Sequence, residues 1–297
     1  MLLFLAAAGA IAFYVLTMPS TIAASALAAH TPNLANGETM FNVGGCVSCH
    51  ATPGQEDKTR LGGGLALHSP FGTFKVPNIS SDPTHGIGAW SELEFVNAML
   101  RGVGRGGEHL YPSFPYTSYQ RMSLADVRDL YAFMKTLPAD TTPSAPHELP
   151  FPFNVRRGLG LWKLAFVDGK TFTPDPNRDA AYNRGAYLVE GPGHCVECHS
   201  TRNAVGAIAP DRRFAGGPDP EGGKGWAGNL TPHEDGLASW SDSDIAYLLE
   251  SGFTPEYDSV GSGMASVIAN MAKLSTEDRQ AMAAYLKALP PRPGKAP

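Results

Sequence analysis

Two pentapeptides hold every cysteine of the chain. Cys46-Val47-Ser48-Cys49-His50 and Cys195-Val196-Glu197-Cys198-His199 repeat one signal, C-x-x-C-H, about 150 positions apart. Two thiols three positions apart on a helical turn face the same way. Such a pair can add across the two vinyl groups of a porphyrin, and the following His reaches the iron from below. This is the attachment signature of c-type haem. The spacing predicts two covalently bound haem c groups. Cys46 and Cys49 bind the first and His50 ligates its iron; Cys195, Cys198 and His199 do the same for the second. One four-thiolate zinc site, or two redox disulfides, would use the same cysteines. Neither needs a His after each second Cys, and neither explains a longer repeat around each pair.

That longer repeat is plain. GETMFNVGGCVSCH from Gly37 is echoed by GAYLVEGPGHCVECH from Gly185, and PNISSDPTHGIGAWS from Pro77 by GNLTPHEDGLASWS from Gly228. MSLADVRDLYAFMKTLP from Met122 matches LSTEDRQAMAAYLKALP from Leu274 without a gap. Shared order, spacing and type mark an internal duplication. Each copy predicts three helices. The first runs into the pentapeptide. A second starts at a Ser cap, Ser91 or Ser241, and stops at Gly102 or Gly252. The third starts at Ser123 or Ser275 and ends at Leu-Pro. No stretch alternates as a strand would. Residues 139–180 join the copies, and GLGLWKLAF within them predicts a helix across the join.

A haem iron takes its sixth ligand from the loop between the second and third helices. A Met thioether there raises the potential and suits electron transfer; an open position suits ligand chemistry. In the second copy Met264 sits in a Gly-Ser-Gly turn and is the predicted ligand, while Met271 reads as core. In the first copy Phe114 falls opposite Met264 and cannot ligate iron. Met122 is the predicted ligand there, with His109 or an open position as alternatives. The matched pairs Trp90/Trp240 and Asn78/Asn229 read either as hydrogen-bond donors to a haem propionate or the loop backbone, or as packing and turn residues. His30 carries no signal.

Totals agree with this picture. The 297 residues predict two domains. With 43% hydrophobic and 17% charged residues, 33 glycines and 25 prolines, small helical domains with long ordered loops are expected. A net charge of −5 and the lack of any basic run exclude nucleic-acid binding. Leu2 to Leu16 carries no charge and no proline. It reads as an uncleaved single membrane anchor, with a cleaved signal peptide as the alternative.

The segments HTPNLANGETMFNVGGCVSCH, LYPSFPYTSYQRMSLADVRDLYAFMKTLP and NRGAYLVEGPGHCVECHSTRN carry a family resemblance. The chain resembles the multi-haem cytochrome c subunits of bacterial membrane-bound alcohol and gluconate dehydrogenases, and more closely their two-haem relatives. Those subunits usually have three C-x-x-C-H sites, and some read Met-Pro-Tyr where this chain has Phe114-Pro115-Tyr116. The expected fold is all-α: two tandem cytochrome c domains of three main helices each, with long Gly/Pro-rich loops, after an N-terminal membrane helix. The expected segments are 1–20 as anchor or signal, 31–140 as the first domain, 141–180 as a Pro-rich linker and 181–291 as the second domain. The resemblance implies a dihaem electron carrier at the bacterial inner membrane with its haems facing the periplasm. Its donor would be a dehydrogenase and its acceptor an oxidase, a quinone or another cytochrome. No residue is assigned to catalysis. The rival expectation is a dihaem enzyme such as a peroxidase, working at an open first haem.

Overall fold

The computed structural model describes residues 1–218, 225–261 and 263–294. The helices form where the caps predict them. After α1 (Leu2–Leu16), Asn33 accepts the Asn36 N–H to start α2 (Leu34–Val43), and Asp179 does the same with Tyr182 for α8 (Ala180–Glu190). Reciprocal Ser91/Glu94 and Ser241/Asp244 boxes open α4 (Glu92–Arg101) and α9 (Asp242–Ser251). Gly102 (φ 58°) and Gly252 (φ 79°) end them in the left-handed conformation. Ser123 and Ser275 cap α6 (Leu124–Met134) and α11 (Thr276–Lys287). Between come α3 (Cys46–His50), α5 (Tyr116–Tyr119), α7 (Leu159–Phe166) and α10 (Gly263–Met271).

The halves pack by one rule. α2 lies on α6 and α8 on α11, each crossing at a glycine. A Cβ on Gly37 would stand 2.2 Å from the Asp129 carbonyl oxygen, and one on Gly185 would stand 1.9 Å from that of Ala281. Side chains there would force the helices apart. α4 and α9 complete the two cores, which run together into one apolar cluster.

The fold is not cleanly all-α, contrary to the sequence reading. β1 (Ala66–Ser69) pairs antiparallel with β2 (Gly72–Lys75), and β3 (Gly217–Pro218) with β4 (Trp226–Ala227). Strands of four and two residues are too short for alternation to register. Glu148, in the stretch read as linker, exchanges two 2.9 Å backbone hydrogen bonds with Thr73 on β2. α7 does touch both halves: Trp162 donates to the Val205 carbonyl (2.9 Å), and Lys163 to those of Arg101 and Gly102 (2.8 and 2.6 Å).

The expected N-terminal membrane helix is also overturned, and with it the inner-membrane placement that rested on it. α1 has 15 residues, so it is about 22 Å long against a hydrocarbon core of about 30 Å. Among the described residues no helix is long and apolar enough to cross a membrane. The end of α1 is instead tied to protein. Buried Thr17 accepts through its carbonyl from His109 Nε2 (2.8 Å), and Arg157 donates to the Thr17 hydroxyl (2.8 Å) and the Tyr14 carbonyl (2.7 Å). The segment beyond wraps the first half: Ile22 N–H donates to Asn97 Oδ1 (2.7 Å), and His30 pairs with buried Asp129 (2.7 Å).

Gly185→Ala should lower unfolding stability by about 2–3 kcal/mol, the cost of overpacking a closed contact. Gly9→Ala, inside α1 with a Cβ that meets nothing within 4 Å, should not lower it, since Ala favours a helix interior over Gly by up to about 1 kcal/mol. Denaturant unfolding of both variants checks this.

Candidate haem-binding site

Each pentapeptide is launched by a left-handed residue, Gly45 at φ 54° and His194 at φ 41°. The first then forms α3 and the second a 3-10 turn over Cys195–Glu197. A positive φ costs little for Gly and more for His, though His is among the residues that tolerate it. The cysteines are half-buried. Burial, reinforced by the neighbouring thiol, pushes Cys46 and Cys195 up to about 12.

The histidines share one geometry. His50 Nδ1 lies 2.8 Å from the Pro77 carbonyl oxygen, and His199 Nδ1 lies 2.7 Å from that of Gly228. A carbonyl only accepts, so Nδ1 carries the proton and Nε2 keeps its lone pair. This tautomer and a fixed ring plane are what a metal-binding imidazole requires. Protein atoms crowding the ring push His50 down to about 4, against the opposing pull of the Pro77 hydrogen bond; burial lowers His199 too. Each imidazole is neutral at physiological pH. Two neighbouring thiols and a neutral, oriented imidazole form a donor set that fits haem c in both halves.

The accepting carbonyls are positioned by the residues after them, Asn78 and Asn229. Asn78 Nδ2 donates to the Asp140 and Thr142 carbonyls (2.7 and 2.9 Å), and its Oδ1 accepts the Ser80 N–H (2.8 Å). Asn229 Nδ2 donates to the Arg292 carbonyl (2.8 Å) and Asp235 Oδ1 (2.7 Å), and its Oδ1 accepts the Thr231 N–H (2.8 Å). Each Asn fastens the chain leaving the third helix to the loop that orients the histidine. Of the partners open to this pair, both side chains bond backbone carbonyls. Their match across the repeat was the available signal, but the carbonyls of Pro77 and Gly228 have none in sequence.

The other predicted residues fall in different settings. Met264 lies in the first turn of α10, half-buried; Ser262 of the expected Gly-Ser-Gly turn is outside the described residues. Met271 is buried in the core. In the first half the bridge Val103–His109 matches Phe253–Ser259. Continuing that register puts Phe114 opposite Met264, as the alignment did. His109 is buried and commits Nε2 to Thr17. Met122 is buried between α5 and α6, its N–H donating to Tyr119 (2.9 Å). The Tyr119 phenol is pushed well above its usual value by burial first, then by Cys46, Cys49 and Glu197. Met122 thus sits three residues from a ring beside the first thiol pair.

Comparison with known proteins agrees with this geometry. The cytochrome c family matches residues 34–138. A dihaem cytochrome c-type protein of Cereibacter sphaeroides is 47% identical over 277 residues, covering 93% of this chain and 92% of its own. The cytochrome c subunit of a quinone-dependent alcohol dehydrogenase of Gluconacetobacter polyoxogenes is 38% identical over 290 residues, and the cytochrome subunit of a fructose dehydrogenase of Gluconobacter japonicus is 36% identical over 267. The chain spans 60% and 54% of those two proteins. The chain belongs to the c-type cytochromes. It is an electron-transfer protein that binds haem c covalently.

Asn78→Ala and Asn229→Ala should each cost about 2 kcal/mol, because each strands several buried hydrogen-bond partners. Denaturant titration of the two variants against the parent measures it.

Proposed function

We propose that this chain is a periplasmic dihaem cytochrome c that carries electrons from a dehydrogenase partner to a respiratory acceptor: a terminal oxidase, a quinone or a soluble cytochrome. When bound, each haem supplies a one-electron couple between ferric and ferrous iron. Two such groups match a donor that gives up two electrons, one to each. The chain attaches, orients and buries these groups. Cys46, Cys49 and His50 serve the first haem, and Cys195, Cys198 and His199 the second. Met264 is the proposed sixth ligand of the second iron and Met122 of the first.

The observation that carries this reading is the paired imidazole geometry, since both histidines are held by a backbone carbonyl with Nε2 left for metal. The cytochrome subunits of alcohol and fructose dehydrogenases among the relatives support a dehydrogenase as donor. Two domains follow from the duplication, residues 31–140 and 181–291, with 141–180 between them.

Pyridine haemochrome analysis of the purified chain should give two haems per polypeptide; one or none overturns the reading. Met264→Ala should abolish the weak red-edge absorption band of Met–iron ligation for one haem while His109→Ala leaves it intact. An unchanged band in Met264→Ala would assign the ligand elsewhere.

A further inference from the structure

The two halves grip each other's pentapeptides at one matched position, the residue before the second Cys. In the first motif this is Ser48, whose Oγ accepts from Asn270 Nδ2 on α10 (3.0 Å). In the second it is Glu197, whose Oε1 accepts from Thr117 Oγ1 (2.6 Å) and Ser118 Oγ (2.9 Å) on α5. Each sixth-ligand loop thus docks on the opposite motif. The contact is symmetric in place and unequal in charge.

Glu197 is unusual for a carboxylate. Its side chain is 8% exposed, and among the described residues its charge is met by Arg202, at 2.6 Å and 35% exposed. Arg202 also donates to the Glu197 carbonyl (3.0 Å) and the Gly206 carbonyl (2.9 Å), so it is held in place. The carboxylate belongs to the motif itself, next to Cys198, while its counter-charge lies outward toward solvent. A negative charge close to an iron favours the ferric form, which carries one more positive charge than the ferrous form. Ser48 holds no charge at the equivalent place.

We propose that Glu197 is a positioning residue that sets a fixed negative charge beside the second haem and makes the two haems electrochemically unequal, lowering the potential of the second. This rests on the two-haem reading above. Arg202 limits the size of the effect, and Thr117 and Ser118 fix the carboxylate where it acts. The charge difference lies on the cysteine side of the haems and is independent of which residues supply the sixth ligands.

Spectroelectrochemical titration of the full dihaem chain tests it, with haem content checked first by pyridine haemochrome. Glu197→Gln keeps an acceptor for Thr117 and Ser118 and removes the charge. It should raise one haem couple clearly more than the other. Arg202→Gln, which strips the counter-charge, should lower that same couple. Ser48→Asp, which keeps an acceptor for Asn270, should lower the other couple. Two haems with both couples unmoved in Glu197→Gln, or moved in the same direction by Glu197→Gln and Arg202→Gln, overturns the proposal. Fewer than two haems in the parent chain overturns the underlying reading instead.

Discussion

A histidine N–H aimed at a backbone carbonyl is the constraint on which each half of this chain depends. The bond from His50 to Pro77, or from His199 to Gly228, decides which imidazole nitrogen keeps its lone pair and which way the ring faces. A carbonyl can do this only if its loop is immobile. The loop is therefore nailed by its Asn to the chain leaving the third helix. That chain is placed in turn by the third helix, which lies against the first across a glycine crossing with no room for a methyl group. The first helix runs into the pentapeptide and closes the circuit. Local sequence, helix packing and metal chemistry thus form one chain of dependence in each copy.

The parts with a local cause were legible beforehand. Ser91, Ser123, Ser241 and Ser275 cap the helices they announce, and Gly102 and Gly252 end theirs, because a cap is an interaction among residues three or four positions apart. The C-x-x-C-H motif brings two thiols and an imidazole together within five residues. What was not legible depended on distant partners. The hairpin at Ala66–Lys75 is finished by Glu148, more than seventy positions on. His30 carried no signal in sequence, yet it pairs with Asp129 across the first half. Leu2 to Leu16 has the composition of a membrane segment but lacks the length, and its end is held by His109 and Arg157. Composition alone does not report such ties.

The loops between the second and third helices show where duplication stops being a guide. The backbone after α4 and α9 keeps one register through the bridges at Val103–His109 and Phe253–Ser259, and then the copies diverge. One forms the single turn of α5 beside Tyr119; the other forms the nine-residue α10. A repeat can align two loops without making their side chains equivalent. Phe114 and Met264 are opposite each other in the alignment and cannot share one role.

The crossed contacts of α5 and α10 have the form of an isologous interface, in which a patch on one partner meets the same patch on the other. Here both partners lie on one polypeptide. In a homodimer any change at such a patch happens twice and keeps the axis. Fusion of the two copies removes that obligation. Ser48 and Glu197 could then part company while the surfaces around them went on meeting. The chain is, in this sense, a dimer released from its own symmetry, and a difference between two otherwise alike pentapeptides is what that release makes available.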